Sequence, residues 1–69
     1  MERFAIRLKE LRQDRGLSID KLAKLVKIGS SSICRWENNQ ADIRSEQLII
    51  LAKFFDVSTD YLLGLEEWY

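Results

Sequence analysis

The sequence predicts an all-α fold, five short helices packed as a compact bundle. Three observations predict it. The 69 residues include no proline and three glycines, so little interrupts helical backbone. Apolar residues recur at three- and four-residue spacing, the period of one helix face. Between the periodic stretches stand Ser, Gly and Asn, residues that start or stop helices. A chain of this size buries only about 60% of its unfolded surface, so a thin core and no enclosed active site are expected. Residues 1–69 read as a single domain.

The first helix is predicted from about Glu2 to Arg15. Phe4, Leu8 and Leu11 make one apolar stripe, and Gly16 serves as its C-terminal stop. Ser18 is an N-cap for the second helix, because its hydroxyl can accept from a free amide of the first turn. Asp20 sits in that turn, where the helix dipole favours negative charge. Leu22, Ala23, Val26 and Leu25 are read as its inward face, and it stops near Val26. Lys27-Ile28-Gly29 then leads into a third helix from about Ser30 to Asn38, with Ile33 and Trp36 turned inward. Asn38-Asn39 can adopt left-handed angles and end it without glycine. The fourth helix covers about Ser45 to Phe55, with Leu48, Leu51, Ala52 and Phe55 as the core stripe. Ile49, Ile50 and Phe54 make it apolar nearly all round, which implies burial on more than one side. Ser58 caps a short fifth helix containing Asp60 to Leu63, which Gly64 ends. Residues 65–69 form a tail with Trp68 and Tyr69 at its tip.

Net charge is zero, but its distribution is uneven. Residues 1–35 carry nine basic and four acidic side chains, a net of +5. Residues 36–69 carry two basic and seven acidic, a net of −5. Such a split can give one face a positive field, or it can reflect solvated helix faces alone. No apolar run is long enough to span a membrane, the N-terminus lacks a signal-peptide core, and Cys34 has no second cysteine. A cytoplasmic protein is expected. The absence of histidine removes the usual base of Ser and Cys triads, and no glycine-rich phosphate loop occurs. No enzyme activity, cofactor, metal or small-molecule ligand is expected.

The informative segment runs from Ile19 to Asn38: two short helices joined by about three residues. Leu22, Ala23, Val26, Ile28, Ile33 and Trp36 are spaced as two crossed helices require. Ala23 permits close approach, Ile28 plugs the turn, and Ile33 and Trp36 pack the second helix on the first. The outer face of that second helix then projects, and such a face fits the major groove of B-form DNA.

These residues resemble the Cro and phage-repressor (Xre-like) helix-turn-helix family, whose domain is a lambda-repressor-like bundle. The resemblance rests on Leu11-Arg12, Gly16-Leu17-Ser18, Leu22-Ala23, Ile33 to Asn38 and the phrase Leu51 to Gly64. It spans about residues 4–64. It implies a sequence-specific, double-stranded DNA-binding transcriptional regulator, a repressor, inserting the third helix into the major groove as a homodimer on a palindromic operator. Ser30, Ser31 and Arg35 are the implied base readers, since a guanidinium can hold guanine O6 and N7 together. Ser18, Ile19, Lys27, Ser32, Asn38, Asn39 and Gln40 are the implied phosphate contacts. Arg12 and Glu37 are the implied structural pair tying the first helix to the end of the third. Ile50, Phe54, Trp68 and Tyr69 are the expected dimer surface. The chain departs from the family pattern at Ile19 (commonly Gln), Lys27 (Gly), Gly29 (Ser or Thr), Asn39 (Gly) and Ile43 (Pro). The alternative is a protein-interaction module, or an antitoxin-like protein that binds both a partner and DNA. Cys34 reads as an ordinary small residue or as a redox sensor beside Arg35.

Overall fold

A computed structural model describes residues 1–68. The helices are α1 (Glu2–Asp14), α2 (Ile19–Val26), α3 (Ser30–Glu37), α4 (Ser45–Phe55) and α5 (Thr59–Leu62). Each predicted helix is present. α3 ends at Glu37, one residue short of the predicted Asn38.

All five helices end by the same device. A residue in left-handed conformation follows each: Gly16 (φ +67°), Lys27 (+59°), Asn39 (+56°), Asp56 (+56°) and Gly64 (+82°). The next amide then reaches back five residues: Leu17 to Arg12, Ile28 to Ala23, Gln40 to Arg35, Val57 to Ala52 and Leu65 to Asp60, at 2.8–3.1 Å. This closure satisfies carbonyls that a helix end leaves without partners. It also turns Leu17, Ile28 and Val57 back onto the core. Asn39, not Asn38, takes the left-handed position; Asn38 stays at φ −95°. Two N-caps match expectation, with the Ser18 and Ser58 hydroxyls accepting from the Lys21 and Tyr61 amides at 3.0 Å.

The core draws on all five helices. Phe4, Leu8, Leu22, Ile33, Leu51 and Leu62 are fully buried. α1 packs on α3 and α5, α2 on α3 and α4, and α4 on α5. Phe4 meets Trp36 edge to face at 6.3 Å, joining α1 to α3. Two expectations fail. Leu25 faces solvent, because Leu22, Ala23 and Val26 already complete the buried stripe of α2. α4 is buried along one side only, and Ile49 and Ile50 remain exposed. No helix among the described residues is long and apolar enough to cross a membrane.

The basic N-terminal half clamps the C-terminal half. The Arg3 guanidinium donates to Gly64 O at 3.1 Å. Arg7 donates to Tyr61 O (2.8 Å) and Glu66 O (3.1 Å) and lies 4.0 Å from the centre of the Tyr61 ring. Arg15 donates to Phe55 O at 3.1 Å and lies over the Phe54 and Phe55 rings. These carbonyls lie at or just beyond the ends of α4 and α5, where a cation also meets the negative pole of the helix. Gly64 is needed there for a second reason besides its φ, since a Cβ would overlap the Arg3 side chain.

A side chain with a Cβ is strained in left-handed backbone by about 1 kcal/mol. Lys27→Gly therefore stabilises the fold by up to about 1 kcal/mol, read as a rise in thermal midpoint. Destabilisation would show that the lysine side chain contributes more to the fold than its backbone strain removes.

Candidate nucleic-acid interface

The α2–turn–α3 unit is held by two anchors. Ile28 is buried under the turn, and Ile33 and Trp36 bury one side of α3 against α1 and α2. The opposite side of α3 is uncovered by the chain: Ser30, Ser31, Cys34, Arg35 and Asn38 are all exposed. Ser32 is half-buried at the flank.

Two shallow open hollows flank the junction of α2 and α3. One is lined by Arg12, Ser18, Ile19, Asp20, Ser30, Ser31 and Cys34. The other is lined by Asp20, Ala23, Lys24, Lys27, Ile28, Gly29 and Ser30. The first brings the start of α2 (Ser18, Ile19) beside the start of α3 (Ser30, Ser31). The second sets Lys24 and Lys27 beside Ser30. Arg35 is exposed further along α3, while Asn39 and Gln40 are exposed just beyond its end. Asn38 is differently engaged. Its amide donates to Cys34 O at 2.8 Å and approaches Cys34 Sγ at 3.4 Å, so its NH2 group is turned back onto α3.

Arg12 and Glu37 form a two-pronged ion pair, with Nε to Oε2 at 2.7 Å and Nη2 to Oε1 at 2.9 Å. Their side chains retain only 11% and 5% of their surface. Nη1 of the same guanidinium donates to Leu17 O at 2.7 Å. One side chain thus joins α1, the α1–α2 loop and the end of α3. The hydrogen bond to Glu37, assisted by its charge, raises the Arg12 pKa above its ordinary value against the opposing effect of burial. A raised cation pKa gives stability that is complete below the unfolded value and is lost as pH rises through the higher, folded value. Here that window is strongly alkaline, so the guanidinium stays charged at physiological pH.

Sequence reasoning put Cys34 on the third helix but gave Asp20, Lys24 and Cys34 no part in the DNA-facing site. Helical spacing could have found them. Asp20, Lys24 and Lys27 fall at i, i+4 and i+7, and Cys34 lies three and four residues beyond Ser31 and Ser30. Of the expected dimer residues, Ile50 and Trp68 are exposed and Phe54 is half-buried. Tyr69 lies outside the described residues. Among the described residues, no group of His, Cys, Asp or Glu could hold a metal ion.

Two crossed helices with a short turn, a plugged corner and a bare outer helix define a helix-turn-helix domain. The chain matches the model for the family described as helix-turn-helix domain over residues 5–67, and it belongs to that family. It is 38% identical over 61 residues to the HTH-type transcriptional regulator ImmR of Bacillus subtilis, covering 88% of this chain and 48% of that protein. It is 38% identical over 64 residues to the uncharacterized HTH-type transcriptional regulator YobD of the same organism, covering 93% and 57%. The chain thus spans about half the length of these curated relatives. Among solved structures, the restriction-modification controller protein C.AhdI from Aeromonas hydrophila is similar at TM-score 0.80 and 31% identity, covering 88% of this chain and 92% of that one.

Removing one charge of a nearly buried pair leaves the other without compensation. Glu37→Gln is expected to cost about 2–3 kcal/mol in chemical denaturation. A loss under about 0.5 kcal/mol would mark the pair as an ordinary surface contact.

Proposed function

We propose that this chain is the DNA-reading part of a cytoplasmic transcription regulator, a repressor that binds duplex DNA with α3 in the major groove. The observation that carries the reading is the bare outer face of α3, set beside the N-terminus of α2. Ser30, Ser31 and Arg35 face the base edges, and Arg35 takes the bidentate guanine contact. Ser18 and Ile19, at the start of α2, receive a phosphate on backbone amides, the donors a helix start leaves free. Lys27, Ser32, Asn39 and Gln40 hold the strands on either side and set register without reading sequence. Asn38 supports the end of α3 through Cys34. It assists the phosphate contacts by position and not through its amide NH2. The names of the relatives as transcriptional regulators, and of the solved neighbour as a controller protein, favour the same reading.

The domain acts as a two-fold dimer on a palindromic site. Ile50, with Ile49 beside it, exposes two large aliphatic side chains on α4, and Trp68 is exposed in the tail. The adjacent exposed pair on α4 supports a contact surface there. A dimer sets two recognition helices about one DNA turn apart, near 34 Å.

Selection from a random DNA pool tests the first claim. Arg35→Ala relaxes preference at one base pair by about 1–3 kcal/mol and leaves the rest of the selected motif in place. An unchanged motif removes Arg35 from base reading. Affinity also falls steeply with salt, because phosphate counterions are released on binding. A salt-independent interaction would favour the protein-module alternative.

Sedimentation of wild type and Ile50→Asp tests the second claim. The variant is expected to remain folded and shift from dimer to monomer. A wild type that is monomeric throughout the concentration range rejects the dimer.

A further inference from the structure

The α2–α3 face is basic, yet a carboxylate stands within it. Asp20 is exposed in the first turn of α2 and lines both hollows. Ser30 is the other residue common to the two, and neither hollow is lined by a second acidic residue. Ser30 begins α3, whose start is electrostatically bare. Its N-cap is Gly29, which has no side chain to cap with, and its first turn holds no acidic residue. The first amides bonded inside α3 are those of Ser32 and Ile33, both to Gly29 O. A helix start of this kind carries a partial positive charge of about half an elementary unit. Lys24, four residues after Asp20, does not form a direct ion pair with it: among the described residues the salt bridge formed is Arg12–Glu37.

We infer that Asp20 is a built-in negative charge standing beside the start of α3 and among the groups of α2 and the turn that would meet DNA phosphates, and that it holds DNA affinity down. The inference rests on the reading of this face as the DNA-binding surface. A duplex seated there brings phosphates toward the α2 amides, Lys24 and Lys27. Asp20 is fixed among these groups by the helix that carries it. Its charge repels phosphate whatever the base sequence, so it weakens operator and random DNA alike. The same charge favours the starts of α2 and α3 in the free protein. The fold gains from this carboxylate and the complex loses by it, which keeps occupancy dependent on protein concentration and salt.

Fluorescence anisotropy with a selected duplex and a random-sequence duplex tests this on the whole chain and three variants. Asp20→Asn keeps the shape and removes the charge. It tightens binding to both duplexes about fivefold at low salt, the size of one close like-charge contact in water. The gain disappears near 1 M salt, where the screening length is about 3 Å. Asp20→Glu keeps the wild-type affinity. Asp14→Asn removes the same charge from the hollow between the ends of α1 and α4 and changes affinity far less. Equal affinity of Asp20→Asn and wild type overturns the inference. An equal gain from Asp14→Asn overturns it too, by reducing the effect to net charge. Weaker binding by Asp20→Asn overturns it in favour of a carboxylate that accepts a hydrogen bond from DNA. A wild type that binds no duplex at any salt rejects the DNA-binding reading itself, and the inference with it.

Discussion

The geometry of the α2–α3 face depends on one guanidinium. Arg12 holds Glu37 at the end of α3 with two parallel hydrogen bonds and holds Leu17 O, before α2, with a third. Few side chains could do this. Lysine offers a point charge without the planar fork, and a fork is what fixes three partners in one plane. The pair is largely shielded from solvent, so losing either member leaves the other charge poorly compensated. In a chain with so thin a core, apolar contacts alone leave little margin against rotation of α3. Phe4 against Trp36 and the Arg12–Glu37 fork both link α3 to α1, alongside the shared core. The first supplies contact area and the second supplies direction.

The other N-terminal arginines revise what the charge split means. A net of +5 over residues 1–35 reads as a positive face, but most of its arginines turn the other way. Arg3, Arg7 and Arg15 close over carbonyls at the ends of α5 and α4, and Arg12 serves Glu37. The exposed positive groups carried by α2, the turn and α3 are Lys21, Lys24, Lys27 and Arg35, of which Lys24 and Lys27 line the hollow beside Ser30. The acidic half is likewise partly internal bookkeeping, since Glu37 is matched by Arg12. Three lysines and one arginine on two adjacent helices make a smaller field than the sequence totals suggest, which gives Asp20 correspondingly more weight within it.

Helix existence was legible because stops and starts were chemical. Ser18 and Ser58 cap, Gly16 and Gly64 stop, and the apolar stripes of α1 and α4 have the right period. The same closure recurs at Lys27 and Asp56, where no glycine stands: the family's common glycine pointed to it at Lys27, and nothing in the sequence announced it at Asp56. Lys27 and Asp56 take left-handed backbone because tertiary packing requires Ile28 and Val57 to turn inward, and that burial outweighs the local strain. Leu25 was misread for a related reason. Periodicity gives the direction of a stripe but not its width, and an eight-residue helix fills its stripe with three residues. The projecting face of α3 followed from Ile33 and Trp36 alone. The turning-in of Asn38 did not, because a side-chain amide near a helix end can meet either its own backbone or a ligand.

Small size makes roles overlap. Lys27 ends α2 in strained backbone and presents its charge beside Ser30; Asp20 supports the start of α2 and faces the same hollows. Gly29 gives α3 a start without a side-chain cap, which leaves its amides open. A serine or threonine there would satisfy one amide and stabilise the helix by a few tenths of a kcal/mol. It would also place a side chain over the junction of the two helices. The uncapped start of α3 and the strained lysine are each locally suboptimal, and both lie at the junction of α2 and α3. Local costs of this kind are what a functional surface can carry in a small domain whose core is otherwise complete.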